Sequence, residues 1–436
     1  MAIFAKHSLI VIHKVMRKKG IFYYASACLF MLCLTACNND DDGIVRYMLP
    51  ETRTINLTES QKEMIKSNNE FSFNLLRSAY SQQQTEDGMG KSIFLSPVSA
   101  TYMLGMLADG ASGETLREIN DALGFSGVDA VQVHELCQTL IEEAPKTDKN
   151  VKLEIANAIY SNKDYSLAEQ FKADMKTYYK ADAKTLDFAN TNSLNTINNW
   201  ARQKTHGKIP QGLNEMDPNA VAYLLSSIYF QATWTEQFDK EMTKEETFVC
   251  EDGDIKLLQM MNNKSLIPLY ENEDCRMVCL PYGSGKAWNM FVLLPKGNAT
   301  VGELLEGMDS SYWNCLLRTR KNMVLDLKLP KFITSNILDL TKIFPNMDIK
   351  RIFGEDAELD GICQGLKLHV SKMVQSGSIE VNEEGTKATA VTVAELMDSA
   401  AGPNGENQFY ADRPFVYMIC ENSTNAIFFA GVYQGD

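Results

Sequence analysis

Residues Glu380–Met397 read Glu-Val-Asn-Glu-Glu-Gly-Thr-Lys-Ala-Thr-Ala-Val-Thr-Val-Ala-Glu-Leu-Met. Successive side chains of an extended chain point to opposite faces. Taken alternately, Thr386, Ala388, Ala390, Thr392 and Ala394 fall on one face, and all are small. Lys387, Thr389, Val391, Val393 and Glu395 fall on the other. A period of two is the mark of a strand. The stretch nevertheless runs into Ser-Ala-Ala-Gly-Pro-Asn-Gly-Glu-Asn (Ser399–Asn407), whose composition is that of an exposed loop. It reads as a strand held in a loop, with one face small enough for a tight sheet interior.

The rest of the chain supplies candidate sheets. Thr58-Glu59-Ser60-Gln61 fits a capping box, and Phe71, Leu75 and Leu76 continue the apolar stripe of the helix it would open. Further helices are predicted over Ser99–Ala108, Gly113–Leu123 (stopped by Gly124) and Asn190–Lys204. Val151, Leu153 and Ile155 alternate with Lys152 and Glu154 as in a half-buried strand. From Tyr223 onward strands dominate, including Met290–Leu294, the alternating Leu325, Leu327 and Leu329, and a final pair around Glu421–Asn425. Helices cluster early and strands late without a βαβ rhythm, which predicts an α+β fold with largely antiparallel sheets.

Residues 1–36 read as a leader. Lys14, Arg17, Lys18 and Lys19 precede an apolar run, Ile21–Leu34, that is too short to span a bilayer comfortably. A start at Met16 would give a more typical basic region. The run ends in Leu34-Thr35-Ala36-Cys37, which resembles the lipobox of bacterial lipoproteins, whose processing cleaves before the Cys and attaches lipid to it. The alternative is a conventional secretory signal. The acidic Asn38–Gly43 stretch resembles a surface-export signal of Gram-negative lipoproteins or is a solvated spacer. The expected organisation is a leader over 1–36, a lipidated tether over 37–58 and one folded domain over 59–436. That places the protein in the cell envelope, at the outer membrane and exposed at the surface if the export signal holds.

The chain carries 42 basic and 56 acidic residues; without the five basic residues of 1–36 the balance is 37 to 56, a formal charge of −19. This argues against nucleic acid or an anionic bilayer as a partner. Membrane attachment would be covalent, through Cys37. Beyond the leader and lipobox, Cys137, Cys250, Cys275, Cys279, Cys315, Cys363 and Cys420 are odd in number and lack metal-ligand spacing. They read as small buried hydrophobes, with neither a disulfide nor a metal site expected.

Catalytic signatures are missing from the pattern. His134, His206 and His369 are the remaining histidines, and each reads as structural. Gly283-Ser284-Gly285-Lys286 is a surface hairpin rather than a phosphate loop, because Ala287 stands where a Ser or Thr would bind magnesium. No zincin helix or Gly-x-Ser-x-Gly elbow is present. No enzyme and no cofactor is expected.

Six segments in order then resemble the serpins from about Glu59 to Val432. They are Ser96-Pro97-Val98-Ser99 with Leu107–Thr115; Ile228-Tyr229-Phe230 with Trp234; Leu280-Pro281-Tyr282; Leu329-Pro330-Lys331-Phe332; Phe409–Phe415; and Ile427–Val432. The resemblance implies a serpin fold with three mainly antiparallel β-sheets, eight to nine helices and an exposed reactive-centre loop. It places Glu383, Gly385 and Thr386 at the hinge of that loop, followed by the small residues Ala388, Thr389 and Ala390. It places Ser96, Ser99, Ser226 and Gln375 in the shutter and Trp234 in the breach. Ser226 and Gln375 stand where the family usually has an Asn and a His that hydrogen-bond beneath the opening sheet, and they could pair with each other. Counting along the loop from Gly385 puts the reactive bond at Ser399–Ala400, within the span Met397–Ala401.

The implied function is suicide-substrate inhibition of serine, and by extension cysteine, endopeptidases by a monomer. The cleaved loop would insert into the central sheet and trap the acyl-enzyme. Small residues at the bond suit an elastase- or subtilisin-like target, whereas a shift to Leu396 or Met397 suits a chymotrypsin- or cathepsin-like one. The alternative is a non-inhibitory serpin serving as a surface binding or carrier module; such members often have bulky, charged or proline residues in the hinge. An outer-membrane hydrolase finds no catalytic constellation.

Overall fold

The computed structural model describes residues 52–86, 91–363, 367–386 and 407–436. Among them are nine α-helices: α1 (Glu59–Glu86), α2 (Pro97–Gly110), α3 (Gly113–Leu123), α4 (Ala130–Glu143), α5 (Glu169–Tyr178), α6 (Thr191–Lys204), α7 (Val301–Gly307), α8 (Ser310–Leu317) and α9 (Leu340–Ile343). The first eight strands are β1 (Ile93–Leu95), β2 (Val151–Asn162), β3 (Asp182–Leu186), β4 (Ala222–Thr233), β5 (Lys244–Val249), β6 (Ile255–Glu271), β7 (Cys275–Tyr282) and β8 (Trp288–Pro295). Then follow β9 (Lys321–Pro330), β10 (Phe332–Asp339), β11 (Lys372–Val381), β12 (Gly385–Thr386), β13 (Gln408–Tyr410), β14 (Phe415–Glu421) and β15 (Ile427–Tyr433). The described residues fall in one unit, Pro50–Asp436. The leader, Cys37 and most of the tether lie outside them.

Local chemistry sets the helix ends. The Thr58 amide donates to Gln61 Oε1 at 3.0 Å and the Gln61 amide donates to Thr58 Oγ1 at 3.2 Å, which is the capping box that opens α1. Ser96 caps α2, and Pro97 fills its first position, where no amide is needed. Twelve of the fourteen α2 residues are buried, so α2 is a core helix rather than an amphipathic one. The left-handed Gly124 (φ 73°) ends α3.

The strands form two hydrogen-bonded networks. One has six strands in the order β10-β11-β4-β2-β3, with β12 pairing β4. The other has nine, in the order β1-β15-β14-β8-β7-β6-β9-β13, with β5 pairing β6. The three sheets implied by the sequence merge here because the 17-residue β6 runs through what would be a boundary. It pairs with β5 at its start, with β9 through its middle and with β7 at its end. Most pairs are antiparallel, and the parallel ones are β4–β11, β2–β3 and β9–β13. Between the two networks lies an aromatic core in which Phe230 of β4 packs on Tyr282, Trp288 and Phe429 at centroid distances of 5.5, 5.7 and 5.1 Å. The seven cysteines among the described residues are free; all but Cys315 are buried. Gly283–Lys286 is the turn between β7 and β8.

Candidate functional site

The parallel pair β4–β11 is a seam in the middle of the six-stranded sheet. It is closed from Lys372↔Tyr223 to Ser378↔Tyr229 and no further. Beyond that point β11 reaches Val381 and turns back. The Asn382 amide donates to the Gly385 carbonyl at 2.9 Å, and the Gly385 amide donates to the Asn382 carbonyl at 3.1 Å. The Asn382 side chain accepts the Glu384 amide at 3.0 Å and stiffens the turn. The chain then re-enters the sheet, where Gly385 and Thr386 pair antiparallel with Thr233 and Ala232. The residues expected to form the hinge, Gly385 and Thr386, are therefore already docked in the mouth of the seam.

Gly385 is required at this point. Its φ is +134°, and a Cβ there would lie 2.3 Å from the Ala232 carbonyl oxygen and 2.6 Å from the Trp234 nitrogen. Thr386 is buried, with its hydroxyl 3.0 Å from that of Tyr282. Burial pushes the Tyr282 hydroxyl far above its ordinary range, so it stays protonated. Tyr282 stacks on Trp234 at 4.3 Å and 9°. Trp234 holds the turn from below: its indole N–H donates to the Asn382 carbonyl and its amide to the Glu384 carbonyl, each at 2.9 Å.

Glu383 is clamped from the other side. It accepts from Thr243 Oγ1 at 2.8 Å and pairs with Lys331 at 3.0 Å. Burial alone would raise its carboxyl. Hydrogen bonds from its own amide, Lys331 and Thr243 outweigh that and hold it below the usual carboxylate range. Lys240 pairs with the neighbouring Glu384.

The shutter residues meet under the closed half of the seam, although not as expected. Gln375 and Ser226 are register partners, yet their side chains do not pair with each other. Gln375 Nε2 donates to the Ser96 carbonyl at 2.9 Å and its Oε1 accepts the Ser96 amide at 2.8 Å. The long amide reaches the buried backbone at the start of α2 and satisfies both of its groups. The shorter Ser226 hydroxyl reaches only Ser99 Oγ. Asn157 of β2, which no motif singles out, has its Oδ1 3.5 Å from Ser99 Oγ.

The structure thus gathers Glu383, Gly385, Thr386 and Trp234 at the open end of the seam, and Ser96, Ser99, Ser226 and Gln375 behind its closed half. Ala388, Thr389, Ala390, Ser399, Ala400 and Cys37 lie outside the described residues. After residues 387–406, Gln408–Tyr410 forms β13, paired with Asp326–Lys328. Gly385–Thr386 and Gln408–Tyr410 are thus both seated in sheets, the former beside a parallel pair that a strand could part.

Comparison with known proteins agrees with this geometry. The family described as "Serpin (serine protease inhibitor)" matches residues 66–434. Serpin B4 of Homo sapiens is 32% identical over 393 residues, covering 84% of this chain and 98% of that protein. Leukocyte elastase inhibitor of Bos taurus is 32% identical over 360 residues, covering 80% and 94%. The solved structure of the thermophilic serpin Tengpin in its native state superposes with a TM-score of 0.78 at 26% identity, covering 88% of this chain and 96% of that one. The chain belongs to the serpin family.

Proposed function

We propose that this serpin is a suicide-substrate inhibitor of serine endopeptidases. The observation that carries the reading is the docked hinge: Gly385 and Thr386 already occupy the first two positions of a strand between β4 and β11. Continuing that register sets Ala388 opposite Phe230, Ala390 opposite Ile228 and Thr392 opposite Ser226. The small face of the loop then points toward the aromatic core and the shutter, where bulk would clash.

In this reading the protease serine Oγ attacks the carbonyl carbon of Ser399. The Ser399–Ala400 bond breaks, Ala400 leaves as a protonated amine, and Ser399 remains esterified to the enzyme. Insertion of the freed strand drags the enzyme away and distorts its catalytic groups, and a displacement of ~1 Å can cost ~100-fold in rate. Deacylation by water then stalls. The name of the leukocyte elastase inhibitor, together with the small residues around Ser399, favours an elastase- or subtilisin-like target.

The test is incubation with pancreatic elastase, neutrophil elastase and subtilisin. An SDS-resistant complex is expected, with the peptide beginning at Ala400 released and identified by mass spectrometry. Cleavage by every protease without a complex, and without a gain in thermal stability, would leave the binding or carrier module as the better reading. We further propose that Cys37 is lipidated and anchors the protein in the cell envelope. Labelled palmitate should be incorporated into the wild type and lost in Cys37→Ala; equal labelling of both refutes the anchor.

A further inference from the structure

We infer that residues 205–209 form a strap anchored on both sides of the β4–β11 seam, and that its release sets the rate of strand insertion. The inference rests on the inhibitory reading above. Helix α6 packs on the face of the sheet away from the aromatic core, with Ile197, Trp200 and Ala201 in one cluster with Tyr223, Leu225 and Val374. The chain leaving α6 turns sharply through two left-handed residues, His206 (φ 51°) and Gly207 (φ 80°). Thr205 closes the turn by accepting the Ile209 amide at 3.1 Å.

This turn reaches across the seam. On one side His206 Nε2 lies 2.7 Å from Glu154 Oε2 of β2, and its ring sits 4.3 Å from that of Tyr229 of β4. Lys152 Nζ holds the same Glu154 at 3.0 Å. On the other side Lys208 Nζ lies 3.0 Å from Glu380 Oε2 of β11. Admitting a strand moves β4 and β11 apart by one further strand spacing, about 4.8 Å. Two contacts at hydrogen-bond distance, made by residues two positions apart, cannot both persist as they stand.

The place of the strap gives it control. In an inserted strand that kept the register of Gly385 and Thr386, the next two residues would stand opposite Gln231 and Phe230, which no β11 residue occupies. The third would stand opposite Tyr229, whose pairing with Ser378 is the first existing pair that insertion must break. His206 packs against that same Tyr229. The strap lies over the point where the zipper stops being free.

The experiment uses the full domain with Lys208→Met and Glu380→Gln on one anchor, and Glu154→Gln and His206→Asn on the other. Asn tolerates the left-handed conformation of residue 206. The loop is cut with saturating subtilisin, insertion is followed by tryptophan fluorescence, and melting temperatures are taken for native and cleaved forms. Removing either anchor should speed insertion about three- to fivefold, the rate equivalent of one partly exposed ion pair. It should lower the melting temperature of the native form more than that of the cleaved form, in which at least one of the two anchors is already broken. Unchanged rates, with both forms losing stability equally, would reduce the strap to ordinary packing. A wild-type chain that never inserts would overturn the inhibitory reading and the strap together; a wild type that inserts while the variants match it overturns the strap alone.

Discussion

Replacing Thr386 by Arg tests the hinge most directly, because the structure gives the cost in both states. Thr386 is 1% exposed, faces Tyr282 and makes its hydroxyl contact at 3.0 Å. The nearest acidic clamp, Glu383, is already satisfied by Lys331 and Thr243. A guanidinium forced into this site would be an unpaired buried charge, at ~3–5 kcal/mol. The native protein can avoid that by letting β12 swing out. It then loses two ladder positions and the hydroxyl contact, at ~1 kcal/mol each. The inserted strand has no such escape, since residue 386 must be seated for the following residues to register. Measured from that loosened form, which has already given up ~3 kcal/mol, insertion should slow by up to ~30-fold, while deacylation of the trapped enzyme is untouched. The variant should fold and melt only slightly below the wild type, yet be cleaved almost entirely as a substrate. Titration against elastase or subtilisin with SDS gels measures the partition, and Thr386→Ser, which keeps the hydroxyl and the small size, should behave as wild type. Equal complex yield from Thr386→Arg and wild type would refute the reasoning.

Two further outcomes follow from the clamps. Gln375→Ala strands the amide of Ser96 in a buried site and leaves its carbonyl with only the Ala100 amide, which should cost ~1–3 kcal/mol in urea unfolding and hasten spontaneous loop insertion on heating; no measurable loss would mean that the Gln375 contacts are not needed. Glu383 has a lowered native carboxyl pKa, so its contribution is full above the unfolded value of ~4.3 and fades as pH falls through the lower native one. The stability gap between wild type and Glu383→Gln should accordingly be wide at neutral pH and close on acidification, and a gap that is independent of pH would contradict the clamp.

What the sequence made legible were constraints local in the chain. The capping box at Thr58–Gln61 and the glycine stop at Gly124 each depend on neighbours a few residues away. α4 and α7 escaped the reading even though both open with capping boxes, Asp129–Gln132 and Thr300–Glu303. Their apolar stripes are short and interrupted, and only packing makes them helices. The site partners that the sequence hid act over long separations. Lys208 and Glu380 are 172 residues apart, and Trp234 and Asn382 are 148 apart. The expected Ser226–Gln375 pair failed for a similar reason. The two positions are neighbours in register, but the amide and carbonyl of Ser96 offered Gln375 two hydrogen bonds at once.

The docked hinge also changes what the small residues have to explain. Starting a strand is the costly step, because chain entropy is lost before ladder bonds accumulate. Here Gly385 and Thr386 are seated before any bond is cut, held by Trp234 beneath and by Lys331 and Thr243 on Glu383. What remains is an exchange. Each seam pair from Ser378↔Tyr229 down to Lys372↔Tyr223 is surrendered once, and the incoming strand forms ladder bonds on both of its edges, at ~1 kcal/mol net for each additional bond. The sum is favourable for nearly any side chain that fits. Smallness at Ala388, Ala390 and Ala394 is then not the source of the driving force. In the inhibitory reading proposed above, it determines whether the exchange can proceed faster than a bound protease can free itself.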